Sequence, residues 1–133
     1  MSDAINIIKE EAADIFNIKV MKVGGLYQAK KIAAIAESEG IPCIVGGMLE
    51  LGIGAAANRH FAFSNKVINM GYASEGIYNP LRLVPVDIIN EKLPEENGVV
   101  TVPKDVPGLG VTINHKVIDK YLDKTLKVHV SKL

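Results

Sequence analysis

Two short apolar runs, each closing on a Gly-Gly pair, flank one amphipathic helical segment in residues 15–54. The stretch reads IFNIKVMKVGG, LYQAKKIAAIAESEG and IPCIVGGMLELGIG. Nothing else in the chain constrains the fold as tightly. An apolar run of strand length covered on both faces belongs to a parallel sheet, and parallel neighbours need a crossover, usually a helix. The expectation is therefore a strand, helix, strand unit of an α/β fold, with the Gly pairs at strand ends where such folds place their chemistry.

The first strand is expected over residues 15–20. Phe16, Ile18 and Val20 share one face, and Ile15, Asn17 and Lys19 share the other. Residues 26–38 read as the helix, with Ile32, Ala33, Ile35 and Ala36 toward the sheet. Gly40 ends it, and Pro42 opens a second strand running to Val45. A helix over residues 3–13, capped by Ser2 or Asp3, precedes this unit. After it, Gly52-Ile53-Gly54 leads into a helix over residues 55–64, and residues 67–73 suggest a third strand. From Val86 the alternation stops. An extended piece, a polar turn, a short strand over 99–102, a turn at Pro107-Gly108-Leu109-Gly110, a helix over 117–122 and a last strand over 126–130 are expected there.

Composition narrows the function classes. Fifteen Lys and Arg balance fifteen Asp and Glu, and Trp is absent, so there is no basic or stacking surface for nucleic acid and no charge case for a membrane. No apolar run reaches membrane-spanning length, and the polar first residues do not form a signal peptide. The single Cys43 forms no internal disulfide and fits a reducing, cytoplasmic setting. The final Ser131-Lys132-Leu133 matches a peroxisomal address, which three residues match readily by chance.

Among individual residues, Lys19 stands out. A lysine at the C-terminal end of a parallel strand is placed for acid–base work when its surroundings tune it, and the plain alternative is a solvent-reaching or ion-paired lysine. Lys22 reads as a rim lysine. Glu50, after Gly46-Gly47, is either a pocket carboxylate or a loop and helix-start carboxylate, and Glu75 has the same standing after the next strand. Cys43 lies in a strand without a histidine partner, and no His, Cys, Asp and Glu set shows metal-ligand spacing.

Taken together, Asp14-Ile-Phe-Asn-Ile-Lys19, Lys22-Val-Gly24-Gly25, Ala33-Ala-Ile-Ala36-Glu37, Gly40-Ile-Pro42, Gly46-Gly-Met-Leu-Glu50, Gly52-Ile-Gly54-Ala-Ala56 and Pro107-Gly-Leu-Gly110 resemble the enolase superfamily. The nearest branch is the muconate-lactonising and dipeptide-epimerase group, related to mandelate racemase. The resemblance implies an α/β fold, the C-terminal part of a (β/α) barrel. About three strand-helix units would occupy residues 1–85, and a tail over 86–133 would pack on a capping domain absent here.

The same resemblance implies Mg²⁺-dependent removal of the proton α to a carboxylate. Lys19 would be the sixth-strand acid or base, and Glu50 a pocket glutamate after the seventh strand. Glu75 is the candidate eighth-strand carboxylate, with Gly76 competing for that place. The second-strand lysines and the metal carboxylates have no counterpart, and a full barrel takes about 250 residues. The chain alone is thus expected to hold no cofactor and to be inactive, Mg²⁺ belonging to the full-length family. It would associate with itself or with a separate N-terminal barrel and cap portion, and would meet a small carboxylate substrate only when completed. A non-catalytic, self-associating remnant is the alternative, and a ligand-binding module a more distant one.

Overall fold

The computed structural model describes residues 1–68 and 85–122. The order of elements is α1 (Ser2–Lys9), β1 (Phe16–Ile18), α2 (Leu26–Ser38), β2 (Cys43–Val45), α3 (Gly52–Phe63), β3 (Glu95–Glu96), β4 (Val99–Val100) and α4 (His115–Tyr121). Strands β1 and β2 pair in parallel, Phe16 opposite Cys43 and Ile18 opposite Val45. The expected unit is present, with α2 as its crossover.

Small residues decide how closely the layers approach. Ala29, Ala33 and Ala36 line one side of α2 at spacings of four and three and are essentially inaccessible. They meet Phe16 and Ile18 of β1 and Cys43 and Val45 of β2, and Ala4 of α1 and Phe61 of α3 close the same core. The expected Ile32 only packs at its margin, because the alanines allow the helix backbone down onto the sheet first. Strand residues therefore sort by parity, with Phe16 and Ile18 under the helices and Asn17 exposed between them. Lys19 follows on the Asn17 face.

Helix ends explain where expectation and structure part. At the end of α2, Ile41 N–H donates to Ala36 O and Gly40 N–H to Glu37 O, with Gly40 at φ 69°, which is the Schellman stop that the glycine predicts. The helix α1 stops four residues earlier than expected by the same device. Ala12 N–H returns to Ile7 O, and Glu11 takes the left-handed conformation at φ 48°. No glycine marked that position. Neither Ser2 nor Asp3 caps α1; the Ser2 hydroxyl donates to Asp3 instead.

The helix α3 starts at Gly52, so Gly52 and Gly54 lie inside its first turn rather than ahead of it. It is buried on two sides. Phe61 enters the sheet core, while Ala55 and Ala56 pack against Ile89 and Leu93 of the tail. The tail also forms a hairpin of β3 and β4 through Asn97-Gly98, both at positive φ as a tight hairpin turn requires. The Arg59 guanidinium, 1 % exposed, donates to Pro94 O at 2.5 Å and to Thr101 O at 3.4 Å, fastening that hairpin to α3. His60 Nε2 lies 3.2 Å from Leu109 O. An antiparallel bridge from Ile89 to Ile113 and a Glu91 clasp on the Thr112 N–H and hydroxyl complete the tail, and α4 begins on an Asn114 side-chain cap.

Beyond β2, Cys43 N–H donates to Val67 O at 3.1 Å, so the outer flank of β2 is engaged by the segment that follows α3. The third strand expected from Val67, the last strand over 126–130 and Glu75 lie outside the described residues. Among the described residues, no helix is long and apolar enough to cross a membrane.

Candidate functional site

The site is built on the ends of β1 and β2, on the face turned away from the helices. Lys19 follows β1 directly and is half-buried. Its Nζ donates to Gly47 O at 2.6 Å, across to the end of the neighbouring strand. A charged donor on a carbonyl at that distance is a short, directed bond. Gly46 makes the crossing possible. A Cβ at Gly46 would stand 2.2 Å from Asn17 Oδ1 and 2.9 Å from Lys19 Cγ, so only glycine lets both side chains lie over the end of β2.

Glu50 stands on the loop between β2 and α3, just after Leu49, which is held at φ 63°. Its Oε2 accepts the Met48 N–H at 2.7 Å. Its Oε1 is buried and accepts no hydrogen bond among the described residues. The stem of Glu50 lies on Gly54, where a Cβ would stand 2.6 Å from Glu50 Cβ. Lys19 and Glu50 are thus both delivered by the strand ends and the loop that Gly46-Gly47 opens. Lys22 is exposed and lines a cleft of about 500 Å³ with Asn17, Ile7 and Ile32.

Three contributors escaped the reading of the sequence. Gly47 acts through its carbonyl, which the Gly pair suggests only as a turn. Asn17 shares the face of Lys19 and lies over Gly46. Asp87, from the tail, accepts the Gly52 N–H at 2.8 Å and so caps α3 from 35 positions away, which no local pattern announces. Cys43 is fully buried in β2, and burial pushes its thiol up to about 11, so the reactive thiolate is disfavoured there.

These donors do not fit the Mg²⁺ that the resemblance implies. Among the described residues, no three His, Cys, Asp or Glu side chains gather into a set that could hold a metal ion. Lys19 and the Gly47 carbonyl do not make such a set.

Residues 1–117 match the family described as enolase C-terminal domain-like. The chain is 39% identical over 124 residues to the N-succinyl-L-Arg/Lys racemase of Bacillus cereus, covering 86% of this chain and 29% of that protein. The solved structure of that racemase superposes with a TM-score of 0.76. The L-Ala-D/L-Glu epimerase of Bacillus subtilis is 33% identical over 108 residues, 81% of this chain and 28% of the epimerase. The muconate lactonizing enzyme of Pseudomonas putida superposes with a TM-score of 0.79 at 30% identity, over 90% of this chain and 32% of that one. The chain therefore spans less than a third of the length of the relatives it matches.

Proposed function

The chain belongs to the enolase C-terminal domain-like family, and from that premise we propose that it is the C-terminal third of a racemase, epimerase or cycloisomerase of small carboxylates. Residues 1–85 would be part of a (β/α) barrel of about three strand-helix units, and 86–133 its tail. The relatives are racemases, epimerases and cycloisomerases, which supports the reaction class. The observation that carries the reading is Lys19, its ammonium held on Gly47 O across adjacent strand ends, on the face without helices.

In this reading Lys19 takes the proton from the substrate α-carbon as the neutral amine, or returns one to it as the ammonium. The Gly47 carbonyl aims its ammonium, which removes the cost of ordering a long side chain at the moment of reaction. Glu50 lines the pocket, and its Oε1, without a partner among the described residues, receives a donor from the substrate or from another part of the fold. Glu75 is carried as a second pocket carboxylate on its sequence position alone, with Gly76 as its rival. The Mg²⁺ that the family resemblance implies would sit on carboxylates outside this chain and stabilise charge on the substrate when bound. On this account the isolated chain is inactive, and it works in the cytoplasm joined to a separate N-terminal portion.

A second reading is equally compatible with the lack of a metal-donor set among the described residues. It makes the chain a self-associating remnant without turnover. Joining the chain to the N-terminal two-thirds of a relative and following α-proton exchange of an N-succinyl amino acid in D₂O separates the two. Exchange by the joined protein that falls about 10²- to 10⁴-fold in Lys19→Ala supports the enzyme reading. A joined, folded protein without exchange, or with exchange indifferent to Lys19→Ala, supports the remnant.

A further inference from the structure

The helix α3 opens without a cap of its own. Leu51 precedes it and has no side-chain acceptor, so the first N–H groups need partners from elsewhere. Gly52 N–H finds Asp87 Oδ1 at 2.8 Å, and the same oxygen accepts the N–H of Ile88 at 2.7 Å. The approach is close. A Cβ at Gly52 would stand 2.8 Å from Asp87 Oδ2 and 2.3 Å from Ile89 Cδ1, so the tail lies directly on the helix start. A carboxylate at that end also meets the positive pole of the helix.

Two residues upstream of this contact stands Glu50. Its stem rests on Gly54 in the first turn of α3, and its Oε2 closes the loop on Met48 N–H at 2.7 Å. The place of the Glu50 carboxylate is therefore set by where α3 begins. From this geometry we propose that Asp87 is a positioning residue, which holds the Glu50 loop in register with the end of β2 and couples the tail to the candidate site. The proposal rests on the reading of Glu50 as a pocket carboxylate. It adds a residue from the tail that touches neither Lys19 nor Glu50 by hydrogen bond.

Amide hydrogen exchange of the 133-residue chain, read by mass spectrometry with residue-resolved fragmentation at sub-micromolar concentration, tests it. Met48 and Gly52 report the loop and the helix start, and Cys43 N–H, bonded to Val67 O, is the internal reference. In Asp87→Ala, exchange at Met48 and Gly52 should rise about tenfold or more while Cys43 is unchanged. Asp87→Asn keeps an acceptor oxygen in place and should stay within about threefold of the original. Asp87→Leu, which keeps the bulk and loses the acceptor, replaces the alanine variant should that one fail to fold. Unchanged exchange at Met48, equal effects of Asn and of Ala or Leu, or a parallel rise at Cys43 would overturn the proposal. These readouts are independent of turnover. A joined enzyme indifferent to Glu50→Gln would sink the functional reading and leave the exchange result standing.

Discussion

Gly54→Ala sets two known effects against each other. Glycine to alanine within a helix ordinarily stabilises by about 0.5–1 kcal/mol, because the unfolded chain loses freedom. At Gly54 the new Cβ would stand 2.6 Å from Glu50 Cβ and 2.9 Å from Glu50 Cγ. Ordinary contact begins near 3.4 Å, so the gap must open by most of an ångström. Glu50 Cβ is attached to the backbone and cannot swing aside, so the loop itself must move. Overpacking of this kind costs about 1–3 kcal/mol. The clash wins, and Gly54→Ala should destabilise by about 1 kcal/mol in urea denaturation. Among the described residues, and apart from its chain neighbours and the backbone of α3 itself, only Glu50 comes within 4 Å of that Cβ. In a Glu50→Gly background the same substitution should therefore turn stabilising, by about 0.5–1 kcal/mol. The coupling in the double-mutant cycle would be about 2 kcal/mol. A stabilising Gly54→Ala in the original chain, or the same effect in both backgrounds, would refute the placement of Glu50 on α3.

Three further outcomes follow from the packing. Arg59→Ala should cost about 3 kcal/mol or more, since it empties a buried site and strands the Pro94 and Thr101 carbonyls; Arg59→Met should cost less, and thermal unfolding compares them. Glu11→Gly should stabilise by about 0.5–1 kcal/mol in the same assay, by relieving the left-handed backbone at φ 48°. The Cys43 thiol, pushed up to about 11 by burial, binds its proton more tightly folded than unfolded. Its contribution is thus fully present below the ordinary value of 9.0 and lost as pH rises toward about 11. Cys43→Ala should flatten that alkaline decline, and the folded thiol should resist alkylation at pH 8 until denaturant is added.

What was legible in the chain follows the range of the interactions. The bounds of α2, its stop at Gly40, the parallel pair around it and the odd face of Lys19 all rest on local periodicity and on one glycine. The early end of α1 was hidden because Glu11, not glycine, takes the left-handed position. Gly52 and Gly54 read as a glycine-spaced segment leading into a helix. They lie inside it because Ile89 and Glu50 occupy the space their side chains would need. The Arg59 clasp and the Asp87 cap join residues 35 apart, and such contacts leave no period in a sequence. Lys19 and Glu50 could be singled out by position, but the carbonyl that aims Lys19 required the strand register.

On the proposed reading this unit is one part of a larger fold. In β1, Phe16 N–H and Ile18 O are spent on the β2 side, so the backbone groups of Asn17 point to the opposite edge, where the cleft beside Ile7 and Ile32 opens. Among the described residues no strand pairs with that edge of β1, and an unpaired edge invites pairing. The most direct measurement is the solution mass of the purified chain by light scattering. Self-association or aggregation at micromolar concentration is the expected result, relieved when an N-terminal portion is co-expressed. A monodisperse 14.3 kDa monomer that unfolds cooperatively would contradict it.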